Sequence, residues 1–422
     1  MLRRALVLLV LTLAPFAAAG AVRDVAPGGL AAALETAQPG DVLRLAPGTY
    51  RGPLEIDRPL TLDGGGVAVI DAGGQGSVIR VTAPDVTLRG LHLRGSGDSH
   101  EDIDSGVQLT REATRAVVTG NVLTGNLYGV DIHGARDARV DGNRIEGRQD
   151  RLMNRRGNGL YVWNAPGAAV IGNDVRFGRD GIFVNSSKRN RFVGNRFRDL
   201  RFAVHYMYAD DSEVSGNLSV GNDLGYAVMF STRVRVVDNV SIGDRDHGVM
   251  LNYTNRSAIT GNLVRPGDGT APEKCAFVYN SHRNAFAGNR FEGCGIGIHF
   301  TAGSDRNRIV ENAFIGNRVQ VKYVSTRWDE WSEDGRGNHW SDHAAFDLNG
   351  DGVAETPFRP NDAMDRVLWT QPAAKLLMGS PAVQLVRWSQ AAFPALLPGG
   401  VIDSHPLVRP VEIAVPQMEI WP

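Results

Sequence analysis

The sequence is short of most things that would assign it to a functional class. It has two cysteines, Cys275 and Cys294, too few for a disulfide-dense scaffold or a cysteine-ligated metal cluster. Its 45 basic and 46 acidic residues nearly cancel, so net charge does not favour nucleic acid as a partner. Past the N-terminal segment no apolar run reaches the ~20 residues needed to cross a bilayer. Methionine is scarce, at 8 residues, one of them the initiator. What is abundant is glycine, 50 residues, accompanied by 20 prolines without a collagen-like period. That composition suits a chain with many turns. At 422 residues the chain exceeds a typical single core, and one long repeat domain with an appendage accommodates it.

The first residues, MLRRALVLLVLTLAPFAAAG, carry Arg3 and Arg4, a short apolar core and Ala17-Ala18-Ala19. This predicts a secretory signal over residues 1–19, excluded from the fold, and an exported protein in a bacterial periplasm. Cys275 and Cys294 stand about one repeat apart. In an oxidising compartment stacked coils bring such a pair within disulfide range; paired thiolate ligands are the alternative.

Periodicity dominates the chain after Gly90. Gly-Asn or a close variant falls at Gly120, Gly142, Gly172, Gly194, Gly216, Asp238, Gly261, Gly288 and Glu311, with gaps of 22, 30, 22, 22, 22, 23, 27 and 23 residues. The two long gaps contain QDRLMNRRG and PGDGTAPEK, read as loop insertions. Midway through each unit runs a short alternating stretch (GVDIH, GLYVW, GIFVN, AVHYM, AVMFS, GVMLN, AFVYN, GIHFT), the mark of a half-buried strand. Short strands cornered by Gly and Asn in units of ~22 residues describe coils of a right-handed parallel β-helix. Asn suits these corners because it tolerates a left-handed backbone, and stacked Asn side chains can form amide ladders. The predicted fold is therefore an all-β, right-handed parallel β-helix over residues 20–326, of roughly ten coils and about 50 Å length at ~4.8 Å per coil. The short amphipathic helix from Leu30 to Ala37 is expected to plug its N-terminal end. Residues 327–422 form an acidic loop and helical tail. Ten Asp/Glu lie between Asp329 and Asp365, and a helix begins with Ser380 as N-cap and Pro381 at its first position. That helix is expected to cap the C-terminal end, with docking onto a partner as the alternative.

Three constellations could carry chemistry. Aligning the apolar runs places Asp131, Tyr161, Phe183, His205, Met229, Met250, Val278 and His299 in one outward column. Met207 shares a strand face with His205. His205, Met207, Met229 and Met250 then form a thioether–imidazole patch suited to Cu(I); the alternative is methionine filling an apolar face covered by another segment. Asp347, Asn349, Asp351 and Glu355 match much of a calcium loop, but Phe358 occupies the twelfth position, where a bidentate Glu belongs; an acidic Asx turn is the alternative. Tyr128-Gly-Val-Asp-Ile-His133 loosely resembles the Tyr-Gly-Phe-Asp-Pro-His motif of mannuronan C5-epimerases, with departures at Val130, Ile132 and Gly134. Asp131 and His133 would there be charge stabiliser and acid/base. Between Arg136 and Arg201 stand 15 Lys/Arg against 7 Asp/Glu, a solvated face or one that steers an acidic partner.

From Phe177 onward the segments FGRDGIFVN, RFAVHYMYADDSEVSGNLSVGN, DRDHGVMLNYTN and CGIGIHFTAGS, with the tail NDAMDRVLW…KLLMGSPAVQLVRWSQAAFP…GGVIDSHPL, resemble the periplasmic NosD family. The resemblance covers essentially the whole chain after the signal. It implies a non-enzymatic accessory protein that helps assemble the catalytic copper–sulfur cluster of nitrous oxide reductase. The implied partners are the ATPase and membrane permease of an ABC-type transporter, a copper-delivering lipoprotein and the reductase itself. A carbohydrate-active lyase or epimerase, and a plain binding scaffold, are the competing expectations.

Overall fold

The corners form where the sequence puts Gly-Asn. In the computed structural model, which describes residues 20–301, 303–323, 328–377, 379–393 and 400–414, each such Gly adopts positive φ, for example 61° at Gly172 and 60° at Gly216. The following Asn is buried. A typical coil has three short strands, such as Tyr128–His133, Arg139–Asp141 and Arg144–Gly147. Every strand pairs in parallel with its counterpart one coil away, giving a right-handed parallel β-helix. The sheet containing Tyr128–His133 has twelve strands, from Leu54–Ile56 to Val319–Tyr323. The helix is therefore longer than the roughly ten coils expected, because the first coils turn without a Gly-Asn corner.

Inward residues stack by type. Val118, Val140, Val170, Phe192, Val214, Val236, Ile259, Phe286 and Ile309 pair in successive registers and all are buried. The corner asparagines form the expected ladder. From Asn121 through Asn143, Asn173, Asn195, Asn217, Asn239, Asn262, Asn289 and Asn312 to Asn338, each Nδ2 donates to the next Oδ1 at 2.8–3.0 Å. The same Nδ2 groups also reach backbone carbonyls, as Asn217 does to Phe192 O at 2.9 Å. Buried amides so fully satisfied fix the stacking register. Cys275 and Cys294 are joined in a disulfide, with Cα atoms 5.7 Å apart.

The N-terminal helix spans Leu30–Thr36 and lays Leu30, Ala33 and Leu34 against the core, as a cap requires. At the other end the expectation fails. The helix Pro381–Ala392 does start at Ser380, whose Oγ accepts from Val383 N, but Leu385 and Trp388 are 64% and 65% exposed. The plug is aromatic instead. Trp331 and Trp340 are buried and stack on each other, Trp340 stacks on Phe314, and Phe300 packs tilted against Trp331. The strand Gly400–Ile402 pairs with Trp328–Glu330, and Asp403 accepts from Asn338 N and Trp340 Nε1, both at 2.7 Å. Large aromatic rings bury enough apolar area to cover the open coil end without that helix. Residues 1–19, the expected export signal, lie outside the described residues. So do residues 324–327, where the expected boundary between β-helix and tail falls.

Candidate functional site

The outward face of the twelve-stranded sheet is where the repeat stops repeating. Register sets its layout. His205 pairs with Phe183 on one side and Ala227 on the other; Ala227 pairs with Met250, and Met250 with Phe277. Met207 pairs with Met229, and Met229 with Asn252. The expected column is thereby corrected. Ala227 holds the place given to Met229, and Phe277 the place given to Val278, which faces the core. The expected alignment matched the chemistry of the runs and slipped by two residues at Met229, which leaves the side chain on the same face, and by one at Val278, which exchanges inside for outside.

The corrected register changes a line into a ring. Ala227 points outward, yet it is fully buried. Around it stand His205 and Met250 on the adjacent strands and Met229 two residues along its own, with Met207 at the remaining diagonal. Neighbouring strands lie ~4.8 Å apart, so the one-carbon Ala227 side chain sits at the floor of a shallow nest lined by three thioethers and an imidazole. Such donors select a soft monovalent ion over Zn or Mg.

Sequence reasoning did not single out the residues that orient the imidazole. Asp180 is buried at the start of the strand Asp180–Asn185. Its Oδ2 lies 3.3 Å from His205 Nδ1, and Arg201 clasps both its oxygens at 2.8 and 2.6 Å. Burial pushes the Asp180 carboxyl up, but the His205 and Arg201 contacts outweigh it, and the group sits below the usual carboxylate range. A carboxylate on Nδ1 selects the tautomer that leaves Nε2 as the free donor, the arrangement of metal-ligating histidines. The available signal was Asp180 itself, an acidic residue directly before the Gly of a strand. Phe183 and Phe202 pack on the same ring, at 4.8 and 4.7 Å between centroids. Farther along the face, His247 and His299 flank Phe277. Burial lowers both, His299 to about 4, so both imidazoles are neutral.

Asp131 and His133 share the outward face as expected, with 3.9 Å between Oδ2 and Nδ1. Asp131 is fully buried beside Gln108 and Tyr161, and its oxygens meet no donor in hydrogen-bonding geometry. Burial pushes its carboxyl up to about 8, which disfavours the anionic form that an epimerase's charge stabiliser would need. The acidic loop turns inward on itself. Asp347 accepts from Gly350 N and Gly352 N, Asn349 from Asp351 N, Asp351 from Val353 N and Glu355 from Leu348 N. Among the described residues no three His, Cys, Asp or Glu side chains converge to hold a metal. None of their helices is long and apolar enough to cross a membrane.

Residues 141–345 match the family model described as "Periplasmic copper-binding protein (NosD)". The chain is 42% identical over 376 residues to the "Probable ABC transporter binding protein NosD" of Stutzerimonas stutzeri, covering 87% of this chain and 86% of that one. It is equally similar over 374 residues to the protein of the same description from Pseudomonas aeruginosa, with 86% and 87% covered. Among solved structures, a surface adhesin of Streptococcus pneumoniae, PfbA, superposes with a TM-score of 0.55 at 12% identity over 70% of this chain and 86% of that one, a likeness of fold alone. With the relatives matched across most of their length, the chain belongs to the NosD family.

Proposed function

We propose that this protein is a periplasmic accessory factor that works with an ABC-type transporter in assembling the catalytic copper–sulfur cluster of nitrous oxide reductase. In this reading it holds Cu(I) transiently as cargo and turns over no substrate. The observation that carries the reading is the ring of His205, Met207, Met229 and Met250 around Ala227, with Asp180 fixing Nδ1 of His205. A soft donor set whose three methionines are partly exposed suits an ion that must be received and then released. The copper-delivering lipoprotein is the donor, the reductase the acceptor, and the transporter's ATPase and permease the membrane partners. A Ca²⁺ ion in the loop of Asp347, Asn349, Asp351 and Glu355 would be structural.

The test has two arms. Nitrous oxide reductase purified from a strain lacking this gene should retain its electron-transfer copper and lack the catalytic cluster; a fully loaded, active enzyme would reject the role. Joint replacement of His205, Met229 and Met250 by Ala should weaken Cu(I) binding, measured by competition with a chromophoric chelator, by at least tenfold. Unchanged affinity would remove the copper assignment from these residues.

A further inference from the structure

The residues just past the copper-patch strands form a second, unassigned feature. At this corner each coil places one residue at positive φ: Gly134, Asn164, Ser186, Tyr208, Phe230, Tyr253 and Asn280, with φ of 78°, 45°, 54°, 53°, 48°, 51° and 43°. Gly and Asn are the residues such a backbone favours, and a bulky side chain there is an outlier. Three successive coils nonetheless carry aromatics. Their rings stack along the rod, Tyr208 on Phe230 at 5.1 Å and 17°, Phe230 on Tyr253 at 5.2 Å and 9°, and Tyr279 closes the row edge-on at 5.8 Å. All four are solvent-facing, at 50%, 37%, 45% and 39% exposure. Three residues farther along each coil runs a second column, again at positive φ: Asp211, Arg233, Arg256, Arg283 and Arg306. The four arginines are exposed; Arg233 is paired with Asp211.

We infer that the aromatic row Tyr208–Phe230–Tyr253–Tyr279 and the arginine column Arg233–Arg256–Arg283–Arg306 form one docking surface for a folded protein with an acidic contact face. Two observations select that occupant. Rings stacked face to face on one another offer the outside their edges and phenol hydroxyls, not their faces, so a sugar has no platform to stack on. A polypeptide surface, rich in carbonyl and carboxylate acceptors, matches positive ring edges and hydroxyls. Four arginines against Asp211 and Asp305 leave the column net positive, which favours negative charge opposite, and Tyr and Arg are enriched where interface energy concentrates. Position adds a use. Tyr208 and Phe230 directly follow Met207 and Met229 in sequence, so the row borders the strands that carry the soft donors. The partner's identity rests on the maturation reading, under which the acidic protein is the apo form of nitrous oxide reductase.

The test exploits the corner's own preference. Tyr208→Asn, Phe230→Asn and Tyr253→Asn combined install the residue that Asn164 and Asn280 already supply, so the rod should keep its thermal midpoint. Binding of purified apo-reductase, measured by biolayer interferometry at 50 mM salt, should weaken at least tenfold. Arg233→Glu, Arg256→Glu and Arg283→Glu combined should do the same and flatten the salt dependence seen with the unaltered protein. Unchanged binding in both triples, or no binding to the unaltered protein, overturns the surface. Capture of a mannuronate hexamer that only the aromatic triple abolishes overturns the choice of a protein. In cells, full cluster loading by the aromatic triple, where the deletion strain has none, defeats this surface and leaves the maturation role standing. Loading in the deletion strain defeats the maturation role instead.

Discussion

Two sides of the same coil obey different rules. On the corner side, one residue type recurs from Asn121 to Asn338, buried and bonded identically at each step. On the outward face of the twelve-stranded sheet the occupant changes at every step: Asp131, Tyr161, Phe183, His205, Ala227, Met250, Phe277, His299, Lys322. A ladder gains from uniformity, since each amide needs the same amide above and below it. An outward face has no such demand, so its side chains are free to serve recognition or binding. Uniform columns here report the scaffold; the column that varies is the one left free for other uses.

Breaking the uniform side should hurt most. Asn217→Leu removes an amide that accepts from Asn195 and donates to Asn239 and to Phe192 O, stranding several buried polar groups. The expected loss is about 4 kcal/mol, read as a lower urea midpoint. On the variable side, Asp131→Asn should show its effect through pH. The folded carboxyl, at about 8, binds its proton more tightly than the unfolded one near 3.9. Stability of the unaltered protein should therefore fall as pH rises from about 4 to about 8. Asp131→Asn removes that slope, so its relative advantage should grow across this window and level off above it, reaching about 7 °C in Tm. A difference independent of pH would show that Asp131 is not a buried neutral acid. The smallest structural effect belongs to Met207→Leu with Met229→Leu. These swaps conserve volume and should change stability by under about 1.5 kcal/mol each, while lowering Cu(I) affinity at least tenfold.

The coil was legible because its signal is local: Gly turns the corner, Asn satisfies it, and the spacing counts the residues between. The register of the outward face was legible in principle and was misread. A slip of one residue exchanges inside for outside and betrays itself only where the two neighbours differ in polarity, which Phe277 and Val278 do not. A slip of two does not, and the similar runs HYM, VMF and VML invited it. The 22-residue interval from Gly194 to Gly216 carries His205 to Ala227 and Met207 to Met229, the pairing observed. Asp180 escaped notice because its function depends on a partner one coil away. The C-terminal plug was out of reach for a similar reason: Trp340 and Asp403 meet across 63 residues, and nothing local announces that the exposed helix Pro381–Ala392 would be passed over for that task.

The asparagine ladder also has a direction. Every side-chain amide hands its hydrogen to the following coil, so the row needs acceptors beyond its last member: Trp331 O takes the Asn338 side-chain amide at 2.9 Å, and the carboxyl of Asp403 takes its backbone N–H at 2.7 Å. The final rung of a structure begun at the N-terminal end is thus completed by a residue near the other end of the chain. A chain cut short before Gly400 would leave the Asn338 backbone N–H without this partner and Trp340 without its hydrogen bond. Completion of the row is therefore a check on the length of the polypeptide, made in the last coil and felt along the stack.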